Sequence, residues 1–225
     1  VGTGNLGAGT AVFGFAIGGL LASEGLLRFL TLQLSRPVLS LPGAASLPTL
    51  LGVSQVWVIA AGVFLVGFLL WALPRPAVTL ESWPWYRTGL ALGALGTLAW
   101  IAGAPAGWHW GLSITGPSRT LLGVLVDSSV HPMTWGAYML LGVPLGSLLS
   151  ARSKGMARWQ VPEAPEFLRR FLGGLLMGFG GTLAGGCNIG NALTGLSILS
   201  LNSLVATASI LLGLALAVRV QGLHR

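Results

Sequence analysis

The sequence predicts an all-α integral membrane protein, a multi-span helical bundle whose helices are broken by glycine at membrane depth. Three observations carry that expectation. Of 225 residues, 53% are hydrophobic and only 8% charged, with a mean hydropathy of +0.81, whereas an ordinary soluble domain carries about 25% charged residues. Too few charges remain to cover a water-facing surface. Glycine numbers 35, about twice its usual frequency, and it lies inside apolar runs, where small residues let membrane helices approach closely. The apolar runs can each cross a bilayer at roughly 20 residues per span, with room for roughly six or seven crossings.

The runs extend from Leu6 to Ala22, Val56 to Leu73, Gly89 to Ala104 and Trp135 to Leu149, followed by a nearly unbroken stretch from Phe171 to Val218. That last stretch, if wholly helical, would be more than twice the roughly 30 Å hydrocarbon thickness. It must turn back or break inside the membrane. Polar breaks mark the connections: Leu34 to Gln55 with Pro37, Pro42 and Pro48, Pro74 to Tyr86 with Pro76 and Pro84, and Ala151 to Glu166. Arg152, Lys154, Arg158, Arg169 and Arg170 outweigh Glu163 and Glu166, so this connection is expected on the cytoplasmic side. Counting back places Arg75 and Arg87 inside as well, and Arg219, His224 and Arg225 put the C-terminus there, so the final stretch should cross an even number of times. Trp83, Trp85 and Tyr86 fit an interfacial aromatic belt, although aromatics at a bundle edge would look the same.

A net charge of +7 raises the possibility of a nucleic-acid binder. The basic residues are read instead as topology determinants in loops between apolar spans. A single cysteine excludes an intramolecular disulfide, and no cysteine–histidine pattern has metal-ligand spacing. No metal or cofactor is expected.

The segment richest in chemistry is GGLLMGFGGTLAGGCNIGNALTGLSILSLNS, Gly173 to Ser203. Each glycine inside a helix costs about 1 kcal/mol relative to alanine, so the backbone should open around Gly185 and Gly186. Irregular backbone at membrane depth is tolerated where it is buried in protein or lines a polar cavity, which directs Cys187 and Asn188 toward a pathway. A helix restarting near Asn188 would aim its free N–H groups back at Cys187, an arrangement that attracts anions. The thiol adds a weak, soft donor suited to sulfur. The plainer alternative makes Cys187 a small buried residue and the glycines packing elements alone. Asn191, Thr194, Ser197 and Ser200 recur at helical spacing, either as a polar stripe or as ordinary interhelical hydrogen bonds.

A second break runs from Gly103 to Pro117 around WGLSITGP, as a re-entrant or an interfacial loop. Asp127 and His131 lie beyond it with no nucleophile at workable spacing and are read as solvated loop residues. His109, between two tryptophans, is placed at the interface.

The stretch FLRRFLGGLLMGFGGTLAGGCNIGNALTGLSILSLNSLVA resembles the C-terminal signature of the YeeE/YedE sulfur-transport family, and WGLSITGP and MTWGAYMLLGVPLGSLLSA are also similar to family segments. The resemblance covers essentially the whole chain. It implies internal pseudo-symmetry, with short re-entrant helices from two halves meeting at a constriction where cysteines pass thiosulfate along. Only Cys187 carries over, with Gly185, Gly186, Asn188 and Gly190 as its backbone setting. Further cysteines common in the family, near the N-terminus and in a first-half glycine-glycine-cysteine motif, have no counterpart here. VGTGNLGAGTAVFGFAIGGLLAS resembles the segment that follows that first-half motif, and Asn5, Thr10 and Ala11 echo Asn202, Thr207 and Ala208 at constant offset. The expectation is a chain lacking roughly the first third of a typical member, a natural short form being the alternative. In this reading, one transmembrane domain holds the remainder of the first half (1–73), connecting spans and a cytoplasmic loop (74–170), and the second-half cysteine motif with the last spans (171–225).

The function expected from the resemblance is uptake of thiosulfate or a related small sulfur anion through the bacterial inner membrane, with no catalytic residues. A TusA-type sulfur-carrier protein is the implied cytoplasmic partner, and the lipid bilayer the surroundings. Within transport, another sulfur or selenium species is an open alternative. From a different class, a membrane-embedded sulfur-transfer enzyme would form a persulfide on Cys187, which needs a thiolate of lowered pKa. No lysine, arginine or histidine adjoins Cys187 in sequence to lower it. A structural membrane subunit, indifferent to replacement of Cys187, is the third reading.

Overall fold

A computed structural model describes residues 4–36, 46–72, 83–126 and 132–223. The helices are α1 (Leu6–Ser23), α2 (Arg28–Leu34), α3 (Leu47–Leu51), α4 (Gln55–Ala72), α5 (Trp85–Gly103), α6 (Thr115–Val126), α7 (Trp135–Ser153), α8 (Ala164–Leu183) and α9 (Leu201–Leu223). A 3₁₀ turn at Ala104–Ala106 follows α5, and a π-helical turn at Ile189–Gly195 separates α8 from α9. Among the described residues there is no strand, only isolated bridges between Asn5 and Gln160 and between Ser46 and Ser200.

Burial runs opposite to that of a water-soluble protein. The buried apolar side chains are small, apart from Phe15: Ala16, Ala22, Ala99, Ala137, Ala151, Cys187 and Ala206. Ser113, Thr115, Ser118, Asn191, Thr194 and Ser203 are buried, while large residues such as Phe64, Trp71, Leu90, Leu125, Leu149 and Leu212 face outward. Small and polar groups inside with bulky apolar groups outside is the arrangement a hydrocarbon solvent selects. Three described helices are long and apolar enough to cross a bilayer: Leu6–Ser23, Tyr86–Ala106 and Leu201–Gly222. Other helices fall short of that standard for local reasons. α7 contains Pro144 and Arg152, and α8 opens with Glu166, Arg169 and Arg170, whereas α4 runs for 18 residues, Gln55–Ala72, without a charged one.

The tightest packing joins α1 to α8, and glycine makes it possible. Gly14 and Gly18 on α1, and Gly174 and Gly178 on α8, are each spaced by four residues. A Cβ at Gly14 would overlap Phe171 O, at Gly18 Leu175 O, at Gly174 Ala11 O and at Gly178 Phe15 O. Each helix therefore sets its glycines against the other's carbonyls, the close approach of paired GxxxG segments, which also permits Cα–H···O contacts. Both helices run in the same direction, since Gly7 faces Arg170 and Gly19 faces Thr182. At the start of the pair, Asn5 caps α1 by accepting from Ala8 N–H at 3.1 Å and also accepts from Arg170 Nη1 at 3.1 Å. Arg170 forms an ion pair with Glu166. Arg169 and Arg170, expected beside a loop, thus belong to the second turn of α8, and Arg170 ties it to α1.

Several expectations fall outside the described residues: those on Pro37, Pro42, Pro74, Pro76, Arg75, Asp127, His131, His224 and Arg225. Trp83, Tyr86 and His109 are exposed. Asn5 and Asn202 both sit at helix starts, but two positions apart in role, because Asn5 precedes α1 and Asn202 is the second residue of α9.

Candidate functional site

The break anticipated after α8 is present, and Gly185 makes it. It adopts φ +73°, the left-handed conformation that terminates helices and costs other residues about 1–2 kcal/mol. Its N–H donates to Thr182 O at 3.2 Å, and Ala184 N–H donates to Gly180 O at 2.9 Å. From Arg170 to Leu183 the helix rises only about 20 Å, less than the roughly 30 Å hydrocarbon slab. The corner that follows therefore lies within membrane depth when Arg170 marks the interface.

Gly186 and Cys187 are buried at this corner, Cys187 with 8% of its surface exposed. Its N–H donates to Thr115 Oγ1 at 2.9 Å, at the first turn of α6. Its carbonyl accepts from Asn191 N–H at 2.8 Å. Asn191, 2% exposed, stitches the corner from within: its Nδ2 donates to Gly186 O at 2.6 Å, and its Oδ1 accepts from Ser203 Oγ at 3.0 Å. Asn202 Nδ2 adds a bond to Ala184 O at 3.4 Å. The chain then winds one π-helical turn, a form found mostly as short pieces and frequently at functional sites.

The residues marked in the sequence are thus close along the chain but differently placed. Gly185, Gly186 and Cys187 form the corner. Asn188 is exposed, and its Oδ1 accepts from Ile189 N–H at 3.0 Å. Gly190 is buried against the other break, where a Cβ would meet Ser113 Oγ at 3.6 Å and Trp110 Nε1 at 3.9 Å. The two N–H groups at 187 and 189 therefore have partners inside the protein. The stripe of Asn191, Thr194, Ser197 and Ser200 divides: Asn191 and Thr194 are buried bracing groups, Thr194 donating to Leu112 O at 2.6 Å, while Ser197 is exposed and donates to Thr194 O.

The segment from Gly103 to Pro117 packs against the Cys187 region. Its non-helical part, Gly107 to Ile114, accepts from Thr194 at Leu112 O, and Thr115, at the start of α6, holds the Cys187 N–H, so the two breaks face each other. Between them opens a cavity of about 360 Å³, lined by Trp108, Trp110, Ser113, Thr115, Arg119 and Thr182, with Gly185 at its edge. Cys187 is not among the lining residues; it joins the cavity wall through Thr115, whose Oγ1 accepts the Cys187 N–H.

Arg119 is the residue that reading the sequence missed. Basic residues were expected in loops, yet Arg119 stands in the second turn of α6, half-buried. A lone arginine shortly after the Gly-Pro of WGLSITGP, at the head of the apolar run Leu121–Val126, was the available signal. No group of three histidine, cysteine, aspartate or glutamate residues is placed to hold a metal among the described residues.

A family model described as sulphur transport matches residues 1–216. The chain is 30% identical over 179 residues to the thiosulfate transporter TsuA of Escherichia coli, an alignment covering 71% of this chain and 50% of the relative. It is 35% identical over 149 residues to the thiosulfate transporter TsuA of Spirochaeta thermophila, covering 65% of this chain and 44% of the relative. The chain spans about half the length of the curated relatives it matches.

Proposed function

The chain belongs to the sulphur transport family, and from that premise we propose that it serves the uptake of thiosulfate, or a related small sulfur anion, through a constriction contacted by Cys187. The observation that carries this reading is the Cys187 corner itself. It is an irregular segment, about 20 Å along α8 from Arg170, held by Thr115 and Asn191 and set beside a polar cavity. Such backbone in a bilayer belongs with a pathway.

Transport requires contacts weak enough to release the cargo. The Cys187 thiol, a weak donor with a polarisable sulfur, suits the terminal sulfur of thiosulfate without a covalent step. Gly185, Gly186, Asn188 and Gly190 supply the backbone setting. Both relatives are named as transporters, which supports transport over persulfide enzymology. The bacterial inner membrane is the proposed location, and a TusA-type carrier the proposed cytoplasmic acceptor beside Arg152, Lys154 and Arg158.

The test is uptake of radiolabelled thiosulfate by cells expressing the chain in its native reading frame, comparing Cys187 with Cys187→Ala at matched membrane abundance. Uptake competed by unlabelled thiosulfate and lost in the alanine variant is the expected result. Equal uptake in both would return Cys187 to a packing role.

A further inference from the structure

Arg119 stands half-buried on α6 beside α1 and α8. Its aliphatic stem is hemmed in by α1 and α8: a Cβ on Gly19 would stand 3.1 Å from Arg119 Cγ and 3.5 Å from Thr182 Oγ1. Its Nε is buried and has no hydrogen-bond partner, and no ion pair engages it among the described residues. Ionisable residues within membrane proteins are expensive, and they face a bundle interior or a water-filled cavity where they serve substrates or ions. An unsatisfied buried N–H likewise calls for a physical reason.

Nε itself is out of reach of solvent, so the cavity that Arg119 lines bears on the rest of the guanidinium and its charge. None of its lining residues is an acid. Trp108 Nε1 already donates to Gly111 O at 3.2 Å, and Thr182 Oγ1 donates to Gly178 O at 3.0 Å. Trp110 Nε1 and Ser113 Oγ, by contrast, have no partner among the described residues, and Thr115 Oγ1 accepts from Cys187 N–H while its own proton stays free to donate. One positive charge and three unclaimed neutral donors therefore surround a single space. Trp110 Nε1 and Ser113 Oγ converge near Gly190, and Thr115 links the space to Cys187.

We propose that Arg119, Trp110, Ser113 and Thr115 form a docking site for the oxygen end of a tetrahedral sulfur oxyanion, beside Cys187. The proposal deepens the transport reading and rests on it for the identity of the cargo. Charge-assisted bonds from a guanidinium favour hard anionic oxygens, whereas the Cys187 thiol favours soft sulfur. Thiosulfate presents both ends. Sulfate presents only oxygens, so it docks at Arg119 and competes, but has no sulfur to offer Cys187.

The experiment measures equilibrium binding of radiolabelled thiosulfate and of radiolabelled sulfate to the chain in lipid nanodiscs at fixed ionic strength. The unsubstituted protein, Arg119→Gln, Arg119→Lys and Trp110→Phe are compared. Both anions are expected to bind, with about tenfold or greater weakening of both in Arg119→Gln. Arg119→Lys, which keeps the charge and loses the fork, should fall between. Trp110→Phe, which removes one N–H and little volume, should weaken both anions by about fivefold. Unchanged affinity in Arg119→Gln overturns the site; where that variant does not insert, unchanged affinity in Trp110→Phe does so. Binding of neither anion to the unsubstituted protein overturns it as well. Arg119-dependent sulfate binding in a protein that takes up no thiosulfate would remove the transport reading and keep the site. Uptake that depends on Cys187 but not on Arg119 would do the reverse.

Discussion

Thr115 offers the sharpest test of how the Cys187 corner is held. Its hydroxyl oxygen, on α6, accepts the N–H of a residue 72 positions away, at 2.9 Å and in a buried setting. Replacing it with valine keeps the β-branched shape and removes the acceptor, leaving the Cys187 N–H without a partner. A buried donor left unpaired costs about 1–3 kcal/mol, and each 1.4 kcal/mol is a factor of ten. The equilibrium for local opening of the corner should therefore rise by about 5- to 150-fold. Cys187 reports on that opening because it is the chain's single cysteine and is nearly buried. The assay is the rate of maleimide alkylation in nanodiscs under conditions where opening and closing outpace the reaction. Thr115→Val should accelerate labelling across that range, while Thr115→Ser, which keeps the oxygen, should stay close to the unsubstituted rate. If valine and serine label at the same rate, the Thr115 bond does not hold Cys187 in place, and the link between the two breaks fails with it.

Two further outcomes follow from the packing. Gly178→Ala places a methyl group against Phe15 O and should destabilise the α1–α8 pair by about 1–3 kcal/mol, seen as a lower thermal midpoint in detergent; Gly180→Ala, with nothing near its added Cβ, should leave it level or slightly higher, and identical behaviour of the two would refute the close crossing. Asn191→Ala strips partners from Gly186 O and Ser203 Oγ and should cost about 1–3 kcal/mol, read in the same assay, whereas a loss no larger than that of Ser203→Ala would show that Asn191 braces little.

The helical membrane fold was legible because its cause is bulk composition. A chain with so few charges and such long apolar runs has only one solvent in which it can expose Phe64, Trp71 and Leu212. The break after α8 was legible for a local reason. Gly185 must take a positive φ there, and a glycine doublet at the head of GGCNIG announces such a turn. What periodicity could not supply was the pairing of helices. Gly14, Gly18, Gly174 and Gly178 read in sequence only as small residues. Their meaning, carbonyl against Cα in a parallel pair, exists only once α1 lies on α8.

The same limit explains the site. Cys187 was found because a cysteine among glycines stands out along one dimension, and its neighbours in sequence were assigned with it. Asn188, adjacent to Cys187, turns out to be exposed and bonded to its own backbone neighbour, while Thr115, 72 positions away, holds Cys187. Arg119 was passed over because basic residues in a membrane chain are usually counted for topology, a rule about residues that reach the interface. Its stem is wedged beside Gly19 and Thr182, so it cannot be counted that way. A charge held by packing, with no ion pair among the described residues, is expensive in every state that leaves it alone, and a diffusible anion in the cavity would supply the countercharge without a permanent acidic partner. That is the condition a transport site needs, since a fixed carboxylate would neutralise Arg119 and close the space to anions.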